Sequence, residues 1–370
     1  MQSWPFLNGK IENRFSILIS VGSELYASLS YESAEFRASN ENDRVVDWGD
    51  GTSTTLPRYQ DSVNHTYASA GLYIVTYSNL TTFRHAGSSA KAVIRILTPF
   101  PPGMTSLYEA FRGCDNLTSI PSTLLKRTIS TVFSADSMFE GCSKIQNIPD
   151  GFFAFGVSLR SATSVFRECP LITQIPDDLF SGCENLTNIN SAFFACVALS
   201  DIPQGLLSDC TSLQDVGYLF GGCSSLADVP SGILSELTGI TNAQGLFYFT
   251  KISLIPSDLF ADCGLLRDAS DCFSGTKVTT IPDDLFGSCG LLQRVDSCFA
   301  NTTIESIPSS LFNNCPNITS FIQCFDGCSR ITTNVPELWE QYPNAWGYLC
   351  YRGCSNAANY SSIPSAWKDP

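Results

Sequence analysis

The chain has 370 residues, of which 44% are apolar and only 15% are charged, and its net charge is −14. A chain this apolar can bury a large core, which excludes global disorder. The acidic excess opposes binding to nucleic-acid phosphates and to anionic lipid. We therefore expect no nucleic-acid partner and no membrane insertion, since no window of about 18 uncharged apolar residues occurs.

The first residues, MQSWPFLNGKIENRFSILIS, do not follow the pattern of a secretory signal. Lys10, Glu12 and Arg14 interrupt the segment before any long apolar run, and no small-residue cleavage site follows. Two interpretations stay open: the protein is not exported by that route, or a leader lies outside this sequence.

Residues 1–98 are rich in β-forming residues and are predicted to form an all-β sandwich domain. Clusters of Gly, Asn, Asp and Ser separate the segments, as is typical of short strands. The candidate strands are Arg14–Val21, Leu25–Tyr31, Arg44–Trp48, Leu72–Ser78 and Ala92–Leu97. The prolines and glycine of the segment 99–103 then mark a domain boundary.

Two motifs within this domain resemble those of the PKD domain, an immunoglobulin-like sandwich. The first is VVDWGDGT at 45–52, which has one residue fewer than the W-x-F-G-D-G element of that family. The second is HTYASAGLYIVTYS at 65–78, which matches the H-x-Y-x-x-x-G-x-Y-x-V element in full. The resemblance covers about 60 residues and implies a spacer or protein-contact module.

The domain offers little material for catalysis. The chain has two histidines, and His65 belongs to the PKD-like motif, where we expect a structural role. His85 lies in a predicted loop or edge strand with no implied partner. Asp43, Asp47 and Asp50 could supply oxygen ligands to Ca²⁺, although turn formation explains them better.

From residue 120 onward, ten Ile-Pro or Val-Pro dipeptides recur every 26 to 28 residues. Such a period predicts a solenoid of about ten coils, spanning residues 99–370. The prolines are Pro121, Pro149, Pro176, Pro203, Pro230, Pro256, Pro282, Pro308, Pro336 and Pro364.

Each unit has two similar halves, as in IPDDLFSGCENLTNINSAFFACVALS at 175–200. Pro176 with Asp177 and Asp178 predicts the first turn of a short helix. The same placement recurs at Asp283 and Asp284, so helix-start electrostatics explain these acid pairs better than catalysis does. We expect an α/β coil of strand, helical turn, extended piece and turn, which buries its apolar side only by stacking on its neighbours.

All 16 cysteines fall into three sets that repeat with the coil, and residues 1–113 contain none. Other coils replace these cysteines by Thr, Leu, Ala, Val or Met, so the positions are interpreted as small core fillers with free thiols. The sets are Cys114, Cys142, Cys169, Cys196, Cys223, Cys328 and Cys354; Cys183, Cys210, Cys263, Cys289 and Cys315; and Cys272, Cys298, Cys324 and Cys350. Disulfides between adjacent coils are the alternative, and zinc is disfavoured because no CxxC pair occurs.

Aromatic residues crowd the last coils, where a C-terminal cap is predicted from about residue 336. They either seal the open end of the core, which we favour, or form an exposed contact surface. They are Trp339, Tyr342, Trp346, Tyr348, Tyr351, Tyr360 and Trp367.

The repeats resemble BspA-type leucine-rich repeats, with their F-x-G-C-x-x-L-x-x-I-x-I-P unit, over about 270 residues. The doubled form with both I-P-x-x-L-F-x-x-C and C-F-x-G-C-x-x-L is similar to repeats of gut anaerobes and their bacteriophages. The resemblance implies adhesion or host attachment and no catalysis, which is an inference from fold alone. The Asn-x-Ser/Thr sequences are mostly the N-L-T and N-I-T of the repeat and do not indicate glycosylation.

The sequence predicts a non-enzymatic binding protein without catalytic, cofactor or metal residues, and it does not identify the binding residues. The leading hypothesis is a phage structural or host-attachment protein on the virion surface, assembled in a reducing cytoplasm. Its partners would be cell-surface proteins or glycans, or neighbouring virion proteins. A secreted bacterial adhesin is the alternative, and a glycan-active enzyme is a third, which would need paired carboxylates in a cleft.

Overall fold

The computed structural model describes residues 14–21, 44–56, 65–78, 80, 82–84 and 87–369. Its N-terminal part is an antiparallel sheet in the order β3-β2-β4-β1-β5. The strands are β1 (Arg14–Val21), β2 (Arg44–Asp47), β3 (Ser53–Leu56), β4 (Gly71–Ser78) and β5 (Val93–Ile96). A 3₁₀ segment, Gly87–Ala92, leads directly into β5.

Four of the predicted strands are confirmed to within two residues at either end, and β3 was not predicted. The predicted strand Leu25–Tyr31 lies outside the described residues. The residues that are described form one open sheet, so the second layer of the sandwich stays a prediction.

Alternation of side chains gives the sheet one buried face. On β1, Phe15, Ile17 and Ile19 are fully buried, while the residues between them are partly or fully exposed. This period of two is what a half-buried strand requires. Phe15 stacks on Phe100 with ring centroids 4.5 Å apart and lies 6.2 Å from Phe111, so the sheet and the first coils share one core.

The solenoid is held together by a column of parallel bridges that joins eleven coils. We call these residues the bridge column: Thr82, Ser106, Ser134, Ser161, Asn188, Asp215, Asn242, Asp268, Arg294, Ser320 and Trp346. Alternate N–H groups that follow each bridge donate to the next coil, as when Phe193 donates to the Leu219 carbonyl at 3.0 Å. The column begins at Thr82, ahead of the predicted boundary at 98/99, and that boundary stays a prediction.

The predicted helical turn within each coil is wrong, and with it the α/β class of the coils. Each coil consists of consecutive turns, such as Leu179 N–H to Pro176 O at 3.2 Å and Cys183 N–H to Phe180 O at 3.0 Å. These i→i+3 bonds are tighter than those of an α-helix, since too few residues are available before the chain turns again. In the described residues α-helix occurs only near the C-terminus, as α1 (Leu338–Gln341) and α2 (Ser365–Lys368).

Stacked phenylalanines form the centre of the solenoid core. One phenylalanine per coil stacks on its counterpart in the next coil, with ring centroids 5.4 to 6.1 Å apart. The column is Phe111, Phe139, Phe166, Phe193, Phe220, Phe247, Phe273, Phe299 and Phe325, and it ends on Tyr351. Offset stacking at this spacing adds to the burial of each ring.

All sixteen cysteines are buried with free thiols. In the first set the thiol donates to the carbonyl of the stacked phenylalanine in the preceding coil, as in Cys196 Sγ to Phe166 O at 3.1 Å. Where a coil has threonine instead of cysteine, the threonine hydroxyl donates to the phenylalanine carbonyl of the same coil, as in Thr276 Oγ1 to Phe273 O at 2.7 Å. At these positions the side chain is therefore a hydrogen-bond donor as well as the filler that was predicted.

Candidate functional site

The PKD-like motifs form a packed structural unit at the β2–β3 turn. The His65 ring stacks on Trp48 with centroids 4.6 Å apart, and its Nε2 lies 2.7 Å from Asp50 Oδ2. Tyr67 donates its hydroxyl to the Trp48 carbonyl at 3.0 Å. Hydrogen bonds from Thr52 and then His65 lower the pKa of Asp50 to about 2. His65 thus lies in the structural position that the sequence predicts.

The carboxylates considered for Ca²⁺ form hydrogen bonds within this turn. Asp47 Oδ1 accepts the Gly49 N–H at 3.0 Å, and Asp50 Oδ1 accepts the Thr52 N–H at 2.9 Å. Asp43 lies outside the described residues. In the described part of the chain, no group of three or more His, Cys, Asp or Glu residues is placed to hold a metal ion.

The repeated polar residues of the coils are used to join one coil to the next. Asp178 accepts the Gly151 N–H of the preceding coil at 2.7 Å, which replaces the predicted helix-start role. The sequon asparagines Asn116, Asn185 and Asn317 each donate their amide to a carbonyl of the preceding coil at 2.7 to 2.9 Å. His85 and the sequons at Asn64 and Asn79 lie outside the described residues.

The bridge column and the outward-facing residues that follow it form one long side of the solenoid, which we call the bridge face. Polar side chains on this face bind their own backbone or the adjacent coil. Asp215 Oδ1, for example, accepts the Gly217 N–H at 2.8 Å and the amides of Asn190 at 3.2 Å and Asn242 at 3.0 Å. Most polar side chains of the bridge face therefore already have hydrogen-bond partners within the protein.

An aromatic patch interrupts this polar surface midway along the solenoid. It consists of Phe194, Tyr218, Tyr248 and Phe249, with ring centroids 4.5 to 6.1 Å apart. The Arg167 guanidinium lies over the Phe194 ring at 4.5 Å. Phe249 is 52% exposed, and the other three rings are half-buried. Exposed aromatic residues with an arginine are typical of binding surfaces.

Glycines in the following coil make room for these rings. A Cβ atom added at Gly221 would lie 3.0 Å from the Phe194 ring, and one at Gly275 would lie 3.0 Å from the Phe249 ring. A Cβ at Gly245 would overlap the Tyr218 ring. The rings therefore lie flat on backbone and are held in place, so the entropy lost on contacting a ligand is small.

Asp271 lies beside the patch, where the Tyr218 hydroxyl donates to its Oδ2 at 3.4 Å. Burial is the main cause that raises the pKa of the Asp271 carboxyl, and it also raises the pKa of Tyr218 to about 12. A carboxylate with a raised pKa beside surface aromatic rings marks a candidate functional position.

The C-terminal aromatics divide between the two predicted roles. Tyr351 and Trp367 are buried and seal the last coil, as the favoured interpretation has it. Trp346 and Tyr348 are instead 71% and 50% exposed, and both lie on the bridge face. They form a second exposed aromatic pair at the end of the solenoid, separate from the aromatic patch.

The aromatic patch was not predicted from the sequence. Its signal is present in the repeat: Tyr218 stands where other coils have Ser164, Ser191 or Ser297, all at positive φ. Aligning the outward-facing positions of the repeats, as well as the core positions, would have revealed the patch. The rings of the patch come from several coils, and those of different coils become neighbours only because the coils stack.

Two solved structures are similar to this chain at low sequence identity. A leucine rich cell surface protein from Faecalibacterium prausnitzii A2-165 is 16% identical with a TM-score of 0.27, over 91% of this chain and 99% of that chain. The TLR13–ssRNA13 complex matches at 13% identity and a TM-score of 0.30, over 65% of this chain. The present chain covers 37% of that TLR13 chain. No curated protein matches.

The family model for the BspA type leucine rich repeat region matches with 6 copies, over residues 100–218 and 167–319. These residues make up more than half of the 370. They include the stacked phenylalanines from Phe111 to Phe299, the first cysteine set from Cys114 to Cys223 and the whole aromatic patch. The chain belongs to the BspA-type leucine-rich-repeat family.

Proposed function

We propose that this chain is a non-enzymatic binding protein of the adhesion type, and that the bridge face around the aromatic patch holds its ligand. The observation that carries the proposal is the placement of Tyr218 and Phe249 on glycines of the following coil while their outer surfaces face solvent. A core role does not account for rings held in this way. Preformed aromatic anchors are instead what a binding surface requires.

The sheet at residues 14–96 is proposed to be a PKD-like module that anchors or spaces the solenoid. The stacking of Trp48 on His65 and the Asp50 hydrogen bond support this likeness. Shared packing of Phe15 with Phe100 and Phe111 would hold the module in a fixed orientation to the solenoid.

The proposed setting is a phage virion, with a bacterial or extracellular surface as the alternative. Sixteen free, buried thiols suit assembly in a reducing compartment. Genes for capsid or tail proteins beside the coding sequence, and the chain itself in purified particles, are the expected findings. An upstream signal peptide in the coding sequence would contradict the virion setting.

The binding function is tested with residues borrowed from other coils. In the triple variant Tyr218→Ser, Tyr248→Ser and Phe249→Gly, each new residue already occupies the same position in a neighbouring coil, so the fold is kept. Binding of the labelled full chain to a panel of intact bacterial and epithelial cells is measured by flow cytometry. We expect the triple variant to lose at least about tenfold in bound protein.

The matched control is Phe155→Gly. Phe155 is 73% exposed and packs on Gly182 of the following coil, but it lies in the half of the coil that does not form the bridge face. This variant should bind as the wild type does. Equal binding by the triple variant and the wild type would disprove the assignment of the ligand to the bridge face.

A further inference from the structure

The carboxylate of Asp271 forms no direct ion pair within 4 Å among the described residues, although Arg294 attracts it from farther away. Arg294, the cation on this stretch of the bridge face, pairs with Asp296 at 2.8 Å and with Asp268 at 3.7 Å. Asp271 accepts hydrogen bonds only from neutral groups, the Tyr218 hydroxyl and the Gln244 amide. A half-buried carboxylate without a directly paired cation is unfavourable, and a cationic group of a ligand would relieve this cost.

A second polar group next to this carboxylate is also unsatisfied. Ser270 is 1% exposed, and its hydroxyl oxygen has no hydrogen-bond partner. Buried hydroxyl groups in proteins nearly always have a partner. Ser270 and Asp271 are consecutive in the chain, so a hydroxyl without a hydrogen-bond partner directly precedes the carboxylate.

The aromatic rings beside Asp271 favour an organic cation over a metal ion. The faces of Tyr218 and Tyr248 carry the negative part of the ring quadrupole and attract an ammonium or guanidinium group. The same patch already holds such a group, because Arg167 lies over Phe194 at 4.5 Å. A bare metal ion needs several oxygen ligands, which ring faces do not supply.

We propose that the aromatic patch and Asp271 bind a lysine or arginine side chain of a polypeptide partner, with its cationic group between the Asp271 carboxylate and the Tyr218 and Tyr248 rings. The proposal rests on the proposed function and adds the chemistry of the ligand. A neutral glycan could stack on the same rings but would leave the charge of Asp271 uncompensated. The net charge of −14 further favours a basic partner through long-range attraction.

The test is fluorescence anisotropy of a labelled decapeptide of alternating lysine and serine, titrated with the full chain at about 0.15 M salt to screen general attraction. The same peptide with every lysine acetylated is the probe control. We expect the acetylated peptide to bind at least about tenfold more weakly. We expect the same loss for Asp271→Asn, since asparagine tolerates the positive φ of this position.

The matched control variant is Asp177→Asn, which removes one charge from an exposed position in the other half of a coil. Its affinity should stay within about twofold of the wild type. Equal losses in Asp177→Asn and Asp271→Asn, or equal binding of the acetylated peptide, would overturn the proposal. Binding of a neutral glycan that the triple variant loses and Asp271→Asn keeps would overturn it too, while leaving the bridge face as the binding surface.

Discussion

At the residue scale, Cys196 and Thr276 occupy the same position in different coils, and each donates to a phenylalanine carbonyl. From the sequence, this position was interpreted as holding a small residue that only fills the core, because other coils replace the cysteines of the three sets by Thr, Leu, Ala, Val or Met. In the first set, however, the substitutes are Thr250, Thr276 and Thr302, which all carry a donor. The Phe273 carbonyl also accepts the Thr276 N–H at 3.2 Å, so the side chain adds a second hydrogen bond, worth about 0.5 to 1.5 kcal/mol.

The buried thiols should be inert in the native state. Burial raises the pKa of Cys196 to about 12 and that of Cys183 to about 11, so almost no thiolate forms near pH 8. A thiol-specific reagent should therefore label almost no cysteine in the folded chain and all 16 in denaturant without reductant. Labelling of markedly fewer in denaturant would indicate disulfides and favour the secreted alternative.

Left-handed backbone recurs at more than one position of the coils, and one of these positions allows a test of local strain. Ala195 has φ 59° where the next coil has Gly222 with φ 73°. An L side chain in this region costs roughly 1 to 2 kcal/mol. We expect Ala195→Gly to raise the free energy of unfolding slightly, and Gly222→Ala to lower it by about 1 to 2 kcal/mol. Urea denaturation measures both.

Gly205 is the control for this pair. It has no positive φ, and a Cβ added there would meet no atom within 4 Å. Gly205→Ala should therefore be neutral or slightly stabilising. A similar loss in Gly205→Ala and Gly222→Ala would contradict the strain explanation.

At the element scale, the β2–β3 turn depends on one ionised carboxylate. The pKa of Asp50 is lowered from 3.8 to about 2 by Thr52 first and His65 next, so the folded state favours the charged form. The stabilisation is complete above about pH 4 and is lost as the pH falls towards 2. We expect Asp50→Asn to melt at a lower temperature than the wild type at pH 5 to 7, with the difference vanishing near pH 2.

Asp177→Asn serves as the charge-matched control in these thermal scans, because Asp177 is exposed and has no role in the turn. Its melting temperature should follow the wild type throughout. A gap between Asp50→Asn and the wild type that is independent of pH would show that shape, not charge, matters at this position.

Which elements the sequence predicts depends on whether their signal is local. Strand β1 was predicted because the segment Arg14–Val21 is rich in β-forming residues, and the coils were predicted because their prolines recur. Strand β3, with the sequence Ser53-Thr54-Thr55-Leu56, was missed because its residues carry no apolar alternation and pairing with β2 defines it. The turns of each coil were taken for a helix because proline followed by acids is shared by both structures.

The candidate site was predicted least, since it is made of residues from several coils. Tyr218 reaches Asp271 across 53 residues of chain. The repeat fixes which positions face outward, but it does not say which coils carry aromatic rings opposite glycines. Aligning the outward-facing positions of the repeats would therefore predict which side chains lie next to each other on the surface.

At the scale of the whole molecule, one hydrophobic core runs from Phe15 in the sheet to Trp367 in α2. In a solenoid each coil contacts only its neighbours, so the end coils need a cap on their open side. The sheet covers the first coils through Phe15. In the last coil, Leu349 and Tyr351 donate their N–H groups to the carbonyls of Ala366 and Trp367. These two hydrogen bonds are the last in the series that joins each coil to the next.

Loss of the C-terminal cap should therefore loosen the last coils first. Trp367 is buried against Phe321 and Tyr351, with ring centroids 6.1 and 6.4 Å away. Trp367→Ala should cost about 3 to 5 kcal/mol locally. Hydrogen exchange followed by mass spectrometry should show lost protection at residues 320–354 and little change at residues 106–142.

The exposed Trp346 is the matched control, because Trp346→Ala removes the same kind of side chain from the coil that Trp367 covers, without opening the core. Its exchange pattern should equal that of the wild type. The alternative is that all coils unfold as one unit, because inter-coil stacking is strong compared with the stability of a single coil. In that case Trp367→Ala would lower protection equally at both ends, and the cap would stabilise the whole solenoid instead of its last coils.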